Sequence, residues 1–395
     1  VDRNELLELL TPEGLRLLDD LAQEPAGADP VTRVSRLRAQ GHAPALVSAA
    51  LTQDRLRRKA VGKFGEFAER MLFTQAGLEQ ATRLRVAALH AGRFRALAPD
   101  HLIDLGCGIG GDALAAAAIG LRVTAVDRDE VTATLASYNL APFENADVLN
   151  ASAEDVDLAP YDAIYLDPAR RTSGHSNTTR LTRASDYSPS LDFAFGLAET
   201  RAVGIKLGPG FDREDIPEGW EAQWITVDGQ VVELGLWSPR LARPGITRAA
   251  LVMNDAGSHE MIAAADSADV EVRELGEYLY EPDGSVIRAR LIGDLARELG
   301  AGMLSSGIAY LTGDAAVETP FAARFRILER FTLDEKKLKR ELKARGIGTL
   351  EVKKRGVDID PATFRKRMSL SGKNSATLFL TRIDGQHAAL LAERA

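Results

Sequence analysis

Three aspartates, Asp104, Asp127 and Asp167, each fall at or near the carboxyl end of a short apolar run, and a glycine-rich turn follows the first. Gly106, Gly108, Gly110 and Gly111 let the backbone turn sharply and let a ligand approach the main chain. A carboxylate at Asp127, closing the next apolar run, is placed to accept hydrogen bonds from two ribose hydroxyls. Arg128 follows it directly. The main-chain N–H of Ala153, in the loop Ala151-Ser152-Ala153-Glu154-Asp155, is placed to read an adenine edge. These residues describe a nucleoside site.

Two ligands fit it. Gly106-x-Gly108-x-x-Gly111 satisfies the dinucleotide pattern, which alone is weak. Asp104 separates the readings, because it sits two residues before the first glycine, where a dinucleotide would place pyrophosphate. A carboxylate repels pyrophosphate and attracts a sulfonium and an α-ammonium. S-adenosylmethionine is therefore the expected cofactor, and a nicotinamide dehydrogenase is the weaker alternative.

Across the same cleft, Asp167-Pro168-Ala169-Arg170-Arg171 directly follows the run Tyr161–Leu166. Proline fixes the backbone so that the Asp167 side chain and nearby carbonyls point at a second substrate. Methyl transfer is an in-line displacement that needs alignment more than acid–base help. Asp167 and the Pro168 carbonyl are the expected orienting groups. Arg170, Arg171 and Lys206 are candidates to hold a base or a phosphate.

The elements that must position these groups form an α/β pattern. Leu102–Leu105, Arg122–Asp127, Ala146–Asn150, Tyr161–Leu166 and Ala202–Leu207 read as strands, with helices between them. Gln80–Leu97 reads as one helix leading into the first strand, and Thr172–Asp186 as a mobile polar loop. Ala222–Val227, Gln230–Trp237 and Thr247–Met253 read as closing strands, the first two joined by the hairpin signal Asp228-Gly229. Residues 1–75 read as an N-terminal helical domain, with Thr11-Pro12 as a helix start. Residues 256–320 read as a bridging segment and 321–395 as a small α+β domain.

Charge is distributed unevenly. Lys+Arg against Asp+Glu is 11 to 11 over 1–70, 20 to 37 over 71–320 and 18 to 9 over 321–395. An acidic centre with a basic appendage suits a polyanionic partner. In that appendage Lys353, Lys354, Arg355, Arg365, Lys366, Arg367 and Lys373 are candidates for phosphate contact. The single cysteine, Cys107, excludes an internal disulfide, a cysteine-based metal cluster and a cysteine-adduct route to pyrimidine methylation. With no apolar run of membrane length and a charged N-terminus, the expectation is a cytoplasmic protein without metal or membrane contact. The oligomeric state is not legible.

The series IDLGCGIGG, VTAVDRDE and YDAIYLDPARR resembles class I S-adenosylmethionine-dependent methyltransferases, and more closely their RNA-modifying branch related to trimethylguanosine synthases. FRILER, LKRELKARGIGTLEVKKRG and LSGKNSATLFLTRIDG resemble a THUMP-like domain carried by a bacterial group of these enzymes. The resemblance covers most of 60–250 and 321–395. It implies a Rossmann-like sheet, S-adenosylmethionine, an RNA substrate, and a cap over the cofactor at Phe73-Thr74. Ala169 and Arg170 depart from it, since amino-directed members carry a second proline and an aromatic there. A non-catalytic RNA-binding protein on the same scaffold, or a small-molecule methyltransferase, is the alternative.

Overall fold

The structure is a computed structural model that describes residues 3–25, 29–170 and 187–395, with the backbone alone at 169–170. The chain forms two compact units, Val1–Leu207 with Leu236–Leu241, and Gly208–Gly235 with Ala242–Ala395.

The first unit opens with four helices, α1 (Arg3–Leu9), α2 (Pro12–Ala22), α3 (Pro30–Ala39) and α4 (Pro44–Phe64). The last three each begin with proline, whose missing N–H is one that a first helical turn leaves unpaired. Thr11 and Asp29 accept from the N–H groups of Gly14 (3.0 Å) and Thr32 (2.8 Å) as N-caps. Leu6, Leu9, Leu17, Leu18, Leu21, Leu46 and Val47 are buried in the core these helices share. Next come α5 (Gln75–Gln80) and α6 (Leu84–Leu97). The single helix expected over Gln80–Leu97 is thus broken at 81–83. The cause is Lys63, whose Nζ donates to the carbonyls of Leu78, Glu79 and Ala81, each at 2.8 Å. Those acceptors are satisfied without a further helical turn.

The strand–helix series follows as β1 (Leu102–Leu105), α7 (Gly111–Ala118), β2 (Val123–Asp127), α8 (Glu130–Leu140), β3 (Ala146–Asn150), β4 (Ala163–Leu166), β5 (Ala169–Arg170), β6 (Tyr187–Ser188), α9 (Leu191–Leu197) and β7 (Ala202–Leu207). β3, β2, β1, β4 and β7 pair in that order, all parallel. The order reverses between β1 and β4. In an open parallel sheet such a switch point leaves a crevice at the carboxyl ends of the strands, and ligands bind there. β5 and β6 form a short antiparallel pair, Ala169 opposite Ser188 and Arg170 opposite Tyr187. The returning piece Leu236–Leu241 seals this unit: a Cβ on Gly204 would lie 2.8 Å from the Trp237 ring.

The second unit holds β8 (Glu221–Val227), β9 (Gln230–Trp237, its last two residues counted in the first unit), β10 (Arg248–Asn254) and β11 (Gly257–Ala263). Asp228 and Gly229 both have positive φ, +51° and +76°, as a type I′ hairpin turn requires. Then come β12 (Tyr278–Pro282), α10 (Gly284–Arg288), α11 (Ile292–Leu299), β13 (Gly302–Ser305), β14 (Ile308–Gly313), β15 (Ala322–Thr332), α12 (Glu335–Ala344), β16 (Ile347–Lys354), α13 (Pro361–Met368), β17 (Asn374–Ile383) and β18 (Gln386–Arg394). The last seven strands form one sheet in the order β13-β14-β12-β15-β18-β17-β16. Residues 256–320 therefore supply β11, and also β12–β14 of the sheet that holds the basic appendage. Leu338 and Leu342 of α12 and Phe364 and Met368 of α13 are buried in one cluster with Leu378 and Leu380. No helix among the described residues is long and apolar enough to cross a membrane.

Glu221 is fully buried, and Arg243 satisfies both its oxygens. Its backbone N–H reaches Oε2 at 2.9 Å, and its guanidinium reaches Oε1 at 2.6 Å and 3.0 Å. Removing one partner of such a pair strands a buried charge. Arg243→Met should lower unfolding stability in urea by about 3–5 kcal/mol, and adding Glu221→Gln should recover part of that loss. An unchanged midpoint in the single variant would show that water reaches Glu221.

Candidate active site

A cavity of about 500 Å³ opens at the β1/β4 switch point. Its floor is the glycine turn. The N–H groups of Gly106 and Cys107 both donate to the Val126 carbonyl at 2.9 Å, which ties the turn to β2. Gly106 has φ +86°, and a Cβ there would meet the Asp167 carbonyl oxygen at 3.2 Å. Gly108 has φ +55°, and nothing lies within 4 Å of where its Cβ would be. Open space over an exposed backbone is what a closely approaching ligand needs. Gly110, with φ +82°, is not among the residues lining the cavity; a Cβ there would make ordinary van der Waals contact with Leu140 and Ala136 of α8 at 3.4–3.5 Å.

Asp127 stands at the end of β2 with Oδ2 accepting from Gly108 N–H (3.1 Å) and Oδ1 from Asp129 N–H (2.9 Å). Partial burial raises its pKa above the ordinary carboxylate value against the pull of those two bonds. Arg128, Ser152, Ala153 and Glu154 continue this wall. The opposite wall is Gly77, Gln80, Ala81 and Thr82. Thr74 itself is not on the wall. Its Oγ1 accepts from Gly77 N–H at 2.8 Å and caps α5, so it holds the wall from behind.

The stretch Met71–Phe73 is held by side chains instead of by a neighbouring strand. Gln53 Nε2 donates to the Phe73 carbonyl (2.7 Å), and Phe73 N–H donates to Gln53 Oε1 (3.0 Å). Arg57 Nε donates to the Met71 carbonyl at 2.8 Å. Asn139 Oδ1 accepts from Leu72 N–H (2.7 Å), and its Nδ2 donates to the carbonyls of Leu72 (3.1 Å) and Ile109 (2.9 Å). Asn139 thereby joins the segment before α5 to the glycine turn. Phe64 and Phe73, fully buried with ring centroids 5.7 Å apart, are core.

On the third side, Asp167 and Pro168 line the cavity at the end of β4, and Lys206 of β7 reaches in beside them. The Lys206 ammonium forms an ion pair with Asp167 Oδ2 and donates to Thr82 Oγ1 at 3.0 Å. Ser188 and Pro189 close the rim, and Arg128 Nη1 donates to Ser188 Oγ at 3.2 Å. Arg170 is described in its backbone only. Arg171 and the polar loop 172–186 lie outside the described residues.

Asp104 corrects the sequence reading. The sequence places it facing the charged end of the cofactor, but the structure does not bring it to the large cavity. It is 2% exposed and lines a small void with His90, Asp112 and Tyr165. Neither carboxylate oxygen has a hydrogen-bond partner among the described residues. Burial, then the Asp112 and Asp167 charges, pushes its carboxyl well above the usual range. The large cavity's own lining carries four carboxylates, Asp112, Asp127, Glu154 and Asp167, against two cations, Arg128 and Lys206.

Sequence reasoning misses Asp112, Thr82, Gln53 and Asn139. The available signal is a polar residue at a helix position otherwise occupied by apolar neighbours, as at Asn139 in TLASYNL.

In the second unit the basic candidates divide. Lys353 is paired with Glu281 (2.6 Å) and Glu351 (3.4 Å), and Arg367 with Glu335 (2.7 Å). Arg355 stacks over the Tyr310 ring at 5.2 Å. Lys353 and Arg355 are half-buried, whereas Arg367 is exposed and its ion pair lies at the surface. Lys354, Arg365, Lys366 and Lys373 are exposed.

Similar proteins are known for the whole chain and for its two ends. Residues 322–394 match a family described as THUMP domain-like, and residues 2–60 match a domain of unknown function. An uncharacterized S-adenosylmethionine-dependent methyltransferase of Mycobacterium tuberculosis, present in strains CDC 1551 and H37Rv, is 35% identical over 363 residues, covering 88% of this chain and 95% of the relative. The crystal structure of a candidate methyltransferase from Porphyromonas gingivalis W83 shares the fold at TM-score 0.73 and 20% identity, covering 100% of this chain and 99% of that one.

The buried Asp104 gives a test of pH dependence. With a folded pKa raised above the unfolded value near 3.8, its contribution to stability is full below about pH 4 and is lost as pH rises toward the folded pKa. Asp104→Asn removes that loss. Its melting temperature relative to the parent should climb by a few degrees between about pH 5 and pH 8, read by circular dichroism. A difference that stays flat across this interval would mean that Asp104 ionises in the folded protein as it does in the unfolded one.

Proposed function

Because the chain belongs to the S-adenosylmethionine-dependent methyltransferases, we propose that it methylates RNA at a nitrogen or similar acceptor, which Asp167 and the Pro168 carbonyl orient. S-adenosylmethionine is its methyl donor, supplying a methyl group made electrophilic by the sulfonium. The observation that carries the reading is one cavity, at the sheet's switch point, with the Asp127 ribose site and Asp167-Pro168 on its walls.

The residues present suit that donor. The excess of carboxylates favours a ligand with two positive centres. Asp127 takes the ribose hydroxyls, the Ala153 N–H reads adenine, and the backbone of Gly106 and Gly108 leaves room for the methionine end. Arg128 closes the rim. Asp167 and the Pro168 carbonyl fix the acceptor's lone pair toward the methyl carbon, so that alignment lowers the barrier. Lys206 pairs with Asp167, whose carboxylate can accept a hydrogen bond from the acceptor N–H and stabilise the charge that builds there. Arg170 and Arg171 hold the flanking base or phosphate.

RNA as acceptor is supported by the THUMP domain-like match over 322–394 and by the exposed cations there, Lys354, Arg365, Lys366 and Lys373. A module with this charge distribution suits phosphate contact and recognition by shape.

Calorimetry should show binding of S-adenosylmethionine and none of NAD. Asp127→Ala should weaken binding about 10- to 100-fold, the loss of charge-assisted hydrogen bonds to the ribose. With labelled donor, label should appear in total RNA; label confined to the metabolite fraction overturns the RNA assignment. Lys366→Glu with Lys373→Glu should flatten the salt dependence of RNA binding, by about one unit of slope for each phosphate left unneutralised, while donor affinity stays at the parent value.

A further inference from the structure

Five residues from five different elements form a hydrogen-bonded chain that runs from the interior to Asp167. His90 of α6 is 3% exposed, and its Nδ1 lies 2.9 Å from Asp112 Oδ1 and 2.9 Å from the Tyr165 hydroxyl. Asp112, in the first turn of α7, also accepts from the Thr82 hydroxyl. Thr82, in the turn between α5 and α6, accepts from Lys206 Nζ at 3.0 Å. Lys206 pairs with Asp167.

The donor and acceptor roles are consistent along its length. An ionised Asp112 only accepts, so His90 Nδ1 must carry its proton, with the Tyr165 oxygen as a second, weaker acceptor of the same N–H. The Thr82 hydroxyl has one proton and two lone pairs, and it gives the proton to Asp112 while receiving one from Lys206. Burial alone would push Asp112 up; the bonds from His90 and Thr82, with the His90 and Lys206 charges, bring its carboxyl below the ordinary value instead.

We propose that His90, Asp112 and Thr82 are positioning residues whose chain fixes the Lys206 ammonium, and through it the orientation of the Asp167 carboxylate toward the acceptor. The inference rests on Asp167 being the acceptor-side carboxylate. Lys206 has four rotatable bonds and could pair with Asp167 in many ways. Thr82 holds its ammonium at a second point and selects one of them. Thr82 also lies on the cavity wall with Gly77, Gln80 and Ala81, and so ties that wall to Lys206.

The test uses the full-length protein with ¹³C-labelled histidine. The chain has six histidines, and His90→Gln identifies the His90 signal by its loss. Thr82→Val keeps the side-chain volume but removes both bonds, and Asp167→Asn alters the far end of the chain without touching His90. Both should move the His90 signal, and Thr82→Ser should restore it. In methyl transfer to total RNA, Thr82→Val should lower kcat about 10- to 100-fold with the dissociation constant for S-adenosylmethionine within threefold of the parent, and Thr82→Ser should recover most of the rate. The proposal is overturned if the His90 signal ignores both Thr82→Val and Asp167→Asn, or if Thr82→Val weakens donor binding as much as it slows transfer. Should the parent protein fail to label RNA, the RNA assignment falls, and the His90 signal still decides the chain.

Discussion

At the carboxyl ends of the paired strands β1 and β4 the backbones of Gly106 and Asp167 lie close together. A Cβ on Gly106 would sit 3.2 Å from the Asp167 carbonyl oxygen. Only glycine, at positive φ, lets the first turn pass that close to the Asp-Pro corner without displacing it. Everything in the cavity is referred to this approach. It brings the glycine turn and the Asp167-Pro168 corner together on one cavity. It also places Lys206, one strand further on, within reach of both Asp167 and Thr82.

The wall opposite is built differently. Met71–Phe73 lies in no helix and in none of the sheets, so its polar groups need partners from side chains. Gln53, Arg57 and Asn139 provide them from two helices. A buried hydrogen bond contributes about 1 kcal/mol net, yet an orphaned group costs about 1–3 kcal/mol. The arrangement is therefore more specific than it is strong: it selects one placement for the segment leading into α5 and penalises the others. Lys63 does the same at the other end of α5 with three carbonyls. Its burial, and the nearby Arg83, Lys206 and Lys59 charges, bring its pKa down to about 8. The ammonium is held there by the acceptors it satisfies.

What can be read in the chain before folding is what local rules govern. Positive-φ turns announce themselves as glycine, parallel strands as short apolar runs, and strand ends as the acids Asp127 and Asp167. The Asp228-Gly229 hairpin and the Thr11-Pro12 helix start belong to the same class. Asp104 shows the limit. Strand alternation says that a residue lies on one face or the other, but not which face looks at the cavity. Lys353 shows another, since a surface cation and a half-buried, paired one have the same sequence signature until Glu281 arrives from elsewhere. The break between α5 and α6 depends on Lys63, some 15 residues upstream of the carbonyls it caps. The chain from His90 to Asp167 draws one residue from each of five elements, which no spacing rule detects.

The route of the chain through the first unit bears on the order in which the protein can be made. That unit runs to Leu207, yields to 28 residues of the second unit, and is completed by six more, Leu236–Leu241. Among those six is Trp237, which fills the space over Gly204 and packs its ring 5.6 Å from His90 and 6.2 Å from Phe94. Until the ribosome has released that tryptophan, the nascent sheet lacks the ring that packs over Gly204. A chain cut after β7 would contain nearly every residue of the cavity, yet it would lack the aromatic plug that holds them in register.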